Sequence, residues 1–229
     1  MIRRLNLTGR PPAGQSVRLL AVSDEVERAF DFETNRAGLG KIDGVLGCGD
    51  LEPEYLDFLA DAFRAPLLYV RGNHDRGANW AARRGSLPHP LDNDMDVLAG
   101  VTVAGLSWPG EGRGQAIRDE GAAWRQVLRT WLRLRGTKPA IVLSHVPPRG
   151  LGDVPEDAYH RGFSAYRWLC RRLRPQLWLH GHTSPAAAPT WRVDWGATTL
   201  VNVTGAVLIE MDTSSAAAAN IDAWPGGRQ

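Results

Sequence analysis

Pro66-Leu67-Leu68-Tyr69-Val70-Arg71-Gly72-Asn73-His74-Asp75 changes character half-way along. Its first five residues form a short apolar run, the composition of a strand buried on both faces. Its last four carry a carboxamide, an imidazole and a carboxylate in succession after a glycine. A buried strand running into a donor-rich loop is the arrangement that α/β sheets use at the carboxyl ends of their strands, where ligands bind. With this composition, Gly-Asn-His-Asp arises by chance on the order of once in a thousand chains of this length, so it counts as signal.

The same pattern recurs on either side. Val17–Ser23 (VRLLAVS) precedes Asp24-Glu25-Val26, and Gly44–Cys48 precedes Gly49-Asp50. Ala140–Ser144 (AIVLS) precedes His145, and Leu177–Leu179 precedes His180-Gly181-His182-Thr183-Ser184. Between these runs, apolar residues recur at helical spacing: Tyr55, Leu56, Leu59 and Phe63; Trp124, Val127, Leu128, Trp131 and Leu132; Phe163, Tyr166, Leu169 and Leu173. Arg125, Arg129 and Arg133 read as a solvated stripe opposite the Trp124/Leu128/Trp131 face. Strand and helix alternate, which makes the fold class α/β. Val97–Trp108 and Trp191–Met211 read instead as strands joined by glycine-containing turns.

The composition bounds the rest. At 229 residues with 43% hydrophobic content, residues 1–213 suit one domain, and 214–229, with Ser214–Asn220 and Pro225-Gly226-Gly227, reads as a weakly structured tail. Twenty-seven basic against 25 acidic residues leave +2, too little for tracking nucleic-acid phosphates. Two cysteines, Cys48 and Cys170, are too few for a disulfide framework, and no apolar stretch reaches signal-peptide or membrane-span length. A soluble, cytoplasmic protein with no membrane partner is expected.

Oxygen donors from Asp24, Asp50 and Asn73, mixed with imidazoles from His145 and His182, suit a borderline divalent ion such as Mn, Fe or Zn, whereas carboxylates alone suit Mg or Ca. Each histidine ligand also needs a carbonyl or carboxylate on its second ring nitrogen.

Taken in order, the five blocks resemble the calcineurin-like metallophosphoesterases, whose signature runs Asp-x-His, Gly-Asp, Gly-Asn-His-Asp/Glu, His and Gly-His-x-His, each after a strand. The likeness extends from Asp24 to Ser184. It implies a four-layer α/β/β/α sandwich that hydrolyses a phosphodiester or phosphomonoester, with a small phosphoester or nucleotide as substrate. By resemblance, Asp50 bridges two metal ions, Asn73, His145 and His182 complete the second site, and Asp24 belongs to the first. His74 then protonates the leaving oxygen, and Asp75 orients the His74 ring or holds its charged form.

Two positions depart from the signature. Val26 stands where the family has the histidine of Asp-x-His, and Ser184 where it has the last histidine of Gly-His-x-His. Both belong to the first site, leaving it Asp24 and a share of Asp50. One firmly held ion per chain is expected, and hydrolysis is expected to be slow: a lost contribution of about 3 to 4 kcal/mol lowers the rate roughly a hundred- to a thousandfold. The alternative is a relative that binds a phosphate-bearing ligand or a protein partner and catalyses nothing. Glu25 and Glu27 are minor candidates as substitute ligands. Arg149 and Arg161 read as exposed loop residues, His180 as a strand-end residue, His89 as part of a surface loop, and Trp108 and Trp191 as core.

Overall fold

The computed structural model describes residues 2–7, 16–75, 80, 82–83, 85, 87–109, 119–187 and 190–212. The tail expected over 214–229 lies outside the described residues. Strands β1 (Arg3–Asn6), β2 (Ser16–Ser23), β3 (Gly44–Gly47), β4 (Leu67–Tyr69) and β11 (Gly205–Asp212) make one sheet, ordered β1-β11-β2-β3-β4. The second sheet, ordered β5-β6-β7-β8-β10-β9, holds β5 (Asp94–Leu98), β6 (Val101–Leu106), β7 (Ile141–Ser144), β8 (Leu177–His180), β9 (Arg192–Trp195) and β10 (Thr198–Asn202). Helices α1 (Glu33–Ala37), α2 (Pro53–Phe63), α3 (Glu120–Arg133) and α4 (Ser164–Leu173) lie between strands in the chain.

The alternation of side chains along β2 shows how the layers stack. Leu19 and Ala21 enter the core between the sheets with Leu46, Val103, Ile141, Leu143 and Leu179. Leu20 and Val22 face the other way, against Tyr55, Leu56 and Leu59 of α2. On the far side, Ala104, Val142 and Trp178 pack on Ala123 and Val127 of α3 and on Tyr166 and Leu169 of α4. The result is an α/β/β/α sandwich. Because β2, β3 and β4 run parallel in one sheet and β6, β7 and β8 in the other, the ligand-bearing loops after β2–β4 and after β7–β8 gather at one edge.

One sequence expectation is corrected. Leu128 and Leu132 are 45% and 59% exposed, and the buried stripe of α3 runs instead through Ala123, Gln126, Val127 and Thr130. Burial of the polar Gln126 is compensated: its amide donates to Ser107 O at 2.6 Å, and its carbonyl accepts from the Tyr166 hydroxyl at 2.7 Å. Trp124 and Trp131, half-buried, lean on Trp168 in edge contacts at 5.9 and 5.8 Å. The strands expected within Trp191–Met211 are present, divided between the two sheets. β9 and β10 pair around Gly196, but β11 crosses to the other sheet and pairs with β2. The short edge strand β1, in which Leu5 alone is buried, carries no sequence signal strong enough to have been anticipated.

Candidate metal centre

The loop after β3 meets the loop after β4 at very close range. A Cβ on Gly72 would lie 2.1 Å from Asp50 Oδ1, and one on Gly49 2.6 Å from Gly72 N, so only glycine fits at both crossings. Asp50 itself is left-handed at φ 54°, as are Asp24 at 60° and His182 at 67°. The Asp50 amide donates to Asp75 Oδ2 at 2.7 Å, and Asp50 Oδ1 accepts from the His74 amide at 2.8 Å, leaving Oδ2 to face the second sheet.

There it meets His145, which is fully buried at the end of β7. His145 Nδ1–H donates to Cys48 O at 2.9 Å. Its Nε2 lies 3.0 Å from Asn73 Oδ1, 3.1 Å from Asp50 Oδ2 and 3.2 Å from His182 Nδ1. His182 Nε2–H donates to Tyr159 O at 3.0 Å, so its Nδ1 carries a lone pair. Three acceptors therefore converge on the one Nε2–H. Burial works against charge on His145, but the Asp50 and Asp24 carboxylates outweigh it and push its pKa up to about 9. Burial also raises the carboxyl of Asp50, yet His145 beside it holds it below the ordinary value. Burial and the His145 charge together push His182 down to about 3.

This donor set fits a divalent cation. Asn73 Oδ1, Asp50 Oδ2 and His182 Nδ1 each lie 3.0 to 3.2 Å from His145 Nε2, and the ligand atoms of Asp50, His145 and His182 all lie within 4.8 Å of one another. Metal bonds of about 2.1 Å give ligand edges of roughly 3.0 Å in octahedral and 3.4 Å in tetrahedral geometry. Both histidines have the second-nitrogen carbonyl partner that a ligand requires, Cys48 O and Tyr159 O.

The first-site side is differently committed. Asp24 Oδ2 accepts from the His182 amide at 3.0 Å and from the Thr204 hydroxyl at 3.2 Å, so this carboxylate ties three loops together. Val26 is 48% exposed, and Ser184 Oγ accepts from its own loop at Ala186 N. Glu27 caps the short 3₁₀ turn Arg28–Asp31 through Ala29 N, and Glu25 is exposed, so neither stands in as a ligand.

Above the ligands opens a cavity of about 330 Å³ lined by Asp24, Asp50, His74, Tyr159, His160 and His182. His74 projects into it with 73% of its side chain exposed and Nε2 4.0 Å from Asp50 Oδ2. Asp75 does not orient that ring. Its Oδ2 is taken by the amides of Gly72 and Asp50, and burial pushes its pKa up to about 6, so it fixes the loop backbone instead.

Tyr159 and His160 belong to the loop 150–162, to which the sequence reading gave no role at the site. Asp153 closes that loop by accepting from Gly150 N and Gly162 N at 2.7 and 2.8 Å. His160 Nδ1 is bonded to Asp157 Oδ2. Arg161 and Arg149 are both half-buried, correcting the exposed reading: Arg161 donates to Pro155 O at 2.7 Å, and the Arg149 Nε is enclosed. His180 is buried, with burial pushing its pKa down to about 4, and Trp108 packs 5.6 Å behind His182.

A family model described as calcineurin-like phosphoesterase matches residues 24–185. The chain belongs to that family. Family members bind divalent metal, and in this one Asp50, His145 and His182 bring ligand atoms within 4.8 Å of one another. A comparison with curated proteins gives no match. Among solved structures, TT1561 of Thermus thermophilus is 17% identical with a TM-score of 0.57, covering 87% of this chain and 100% of that one. A Streptococcus pneumoniae protein described as a predicted phosphoesterase is 16% identical (TM-score 0.40; 84% and 75% covered). GAP50, described as the anchor in the inner membrane complex of Plasmodium, is 13% identical (TM-score 0.48; 82% and 71% covered). At 17% identity the likeness to TT1561 is one of fold alone. No helix among the described residues is long and apolar enough to cross a membrane.

Proposed function

We propose that this calcineurin-like phosphoesterase is a slow metal-dependent hydrolase of a small phosphodiester or phosphomonoester, a nucleotide ester included, holding one divalent ion per chain on Asp50, Asn73, His145 and His182, with manganese favoured over iron or zinc as the first ion to test. The observation that carries this reading is the convergence of Asn73 Oδ1, Asp50 Oδ2 and His182 Nδ1 on His145 Nε2. A divalent ion there supplies charge neutralisation at phosphorus and lowers the pKa of water. Asp50, anchored through Oδ1 to the His74 amide, ties the ligand set to the acid–base residue. His74, exposed at the cavity mouth with its ring beside Asp50, donates a proton to the leaving oxygen, the general-acid role that an imidazole can fill. Asp75 holds the loop that carries both. The buried free thiols of Cys48 and Cys170 fit a reducing compartment such as the cytoplasm.

The test is hydrolysis of bis-p-nitrophenyl phosphate and a nucleotide-ester panel in Mn²⁺. Wild type is expected to exceed background, with Asp50→Ala and His74→Ala at background. Wild type and His74→Ala both at the same background rate across the panel would overturn catalysis. One observation favours the second reading, a binding protein without useful turnover: the Asp24 carboxylate is occupied by the His182 amide and the Thr204 hydroxyl.

A further inference from the structure

Two of the four ligand side chains depend on the same residue from outside the set. Asn73, 4% exposed, donates its Nδ2–H to the Tyr159 hydroxyl at 2.8 Å while its Oδ1 faces His145 Nε2 at 3.0 Å. His182 Nε2–H donates to the carbonyl of Tyr159 at 3.0 Å while its Nδ1 faces the same point. An amide presents either oxygen or nitrogen after a flip of its terminal torsion, and only the oxygen binds a cation. A neutral imidazole likewise offers one lone pair, on the nitrogen whose partner is engaged elsewhere.

We propose that Tyr159 is a positioning residue for the metal centre: its hydroxyl holds the Asn73 amide with Oδ1 inward, and its carbonyl holds His182 with Nδ1 inward. The proposal rests on the cation site proposed above. The loop that carries Tyr159 is built for this task. Asp153 clamps its two ends, the Tyr159 amide donates to Asp157 Oδ1 at 2.8 Å, and the Tyr159 ring packs edge-on against His160 at 4.9 Å. With the ring so held, the hydroxyl also lies 3.4 Å from His74 Nε2, at the point where the ligand set and the cavity mouth meet.

The variant Tyr159→Phe removes the hydroxyl and keeps the ring and the carbonyl. Mn²⁺ titration by calorimetry is expected to show at least tenfold weaker binding than wild type, the usual loss for an outer partner of a ligand. Its melting temperature without metal is expected to match wild type, which a role confined to holding the loop would not allow. Tyr159→Leu is expected to bind Mn²⁺ no more weakly than Tyr159→Phe, since the hydroxyl is the group at stake. Wild-type affinity in Tyr159→Phe overturns the proposal while leaving the phosphoesterase reading intact, and so does a melting temperature that falls in parallel. Absence of Mn²⁺ binding by wild type overturns both.

Discussion

His145 Nε2 and Asp50 Oδ2 lie 3.1 Å apart although their strands, β7 and β3, belong to different sheets. Asn73 follows β4 in the first sheet and His182 follows β8 in the second, so the proposed ligand set takes two side chains from each. A cation bound there would cross-link the two sheets.

Metal is therefore expected to stabilise the fold. At a free concentration a hundred times Kd, a ligand specific to the native state adds about 2.7 kcal/mol. For a chain of this size that raises Tm by roughly 5 to 10 °C. Calorimetric scans with chelator and with Mn²⁺ check it, and Asp50→Ala is expected to abolish the difference.

The pH dependence follows from three imidazoles. His145, pushed up to about 9, stabilises the metal-free protein fully below about 6.5, its unfolded value, and this contribution is lost as pH rises towards 9. His182 and His180, pushed down to about 3 and 4, have the opposite sign: below about 6.5 the unfolded chain takes up protons that the native one refuses. These groups place the stability maximum of the chelated protein near pH 6.5. Since a cation must displace the His145 proton, Mn²⁺ affinity is expected to rise about tenfold per pH unit up to about pH 9. Melting curves and titrations from pH 5 to 9 read both.

Restoring the missing imidazoles tests the first site. Val26→His with Ser184→His is expected to raise metal content from one towards two ions per chain in elemental analysis, and to speed hydrolysis. Unchanged content would show that positions 26 and 184 do not reach a common ion.

The α3 stripe gives a test of packing alone. Leu132→Lys, at a 59% exposed position, is expected to change stability by less than about 0.5 kcal/mol. Gln126→Ala leaves the Ser107 carbonyl and the Tyr166 hydroxyl without their partner and is expected to cost about 1 to 3 kcal/mol. Urea unfolding distinguishes them.

How much of this could be read from the chain varied with the range of the interaction. Strands β2, β3, β4, β7 and β8 are short apolar runs, and the polar groups that follow them are local, so the layers and the blocks carrying Asp50, Asn73, His145 and His182 were legible. Tyr159 was not, because it reaches Asn73 across 86 positions and no spacing rule links them. Leu128 and Leu132 misled because hydrophobicity at helical spacing marks a face without saying which of two adjacent stripes the sheet covers. The polar Gln126 lies on the covered one, satisfied by partners invisible in sequence.

Asp24, Asp50 and His182 share left-handed backbones, a conformation that costs an L-residue other than glycine about 1 kcal/mol or more. Glycine would relieve that strain, but at 24 and 50 it would also delete the carboxylates that accept from the His182 amide, the Thr204 hydroxyl and the His74 amide, contacts that outweigh it. Turn strain at these three positions is thus the counterpart of the cross-linking that their side chains provide.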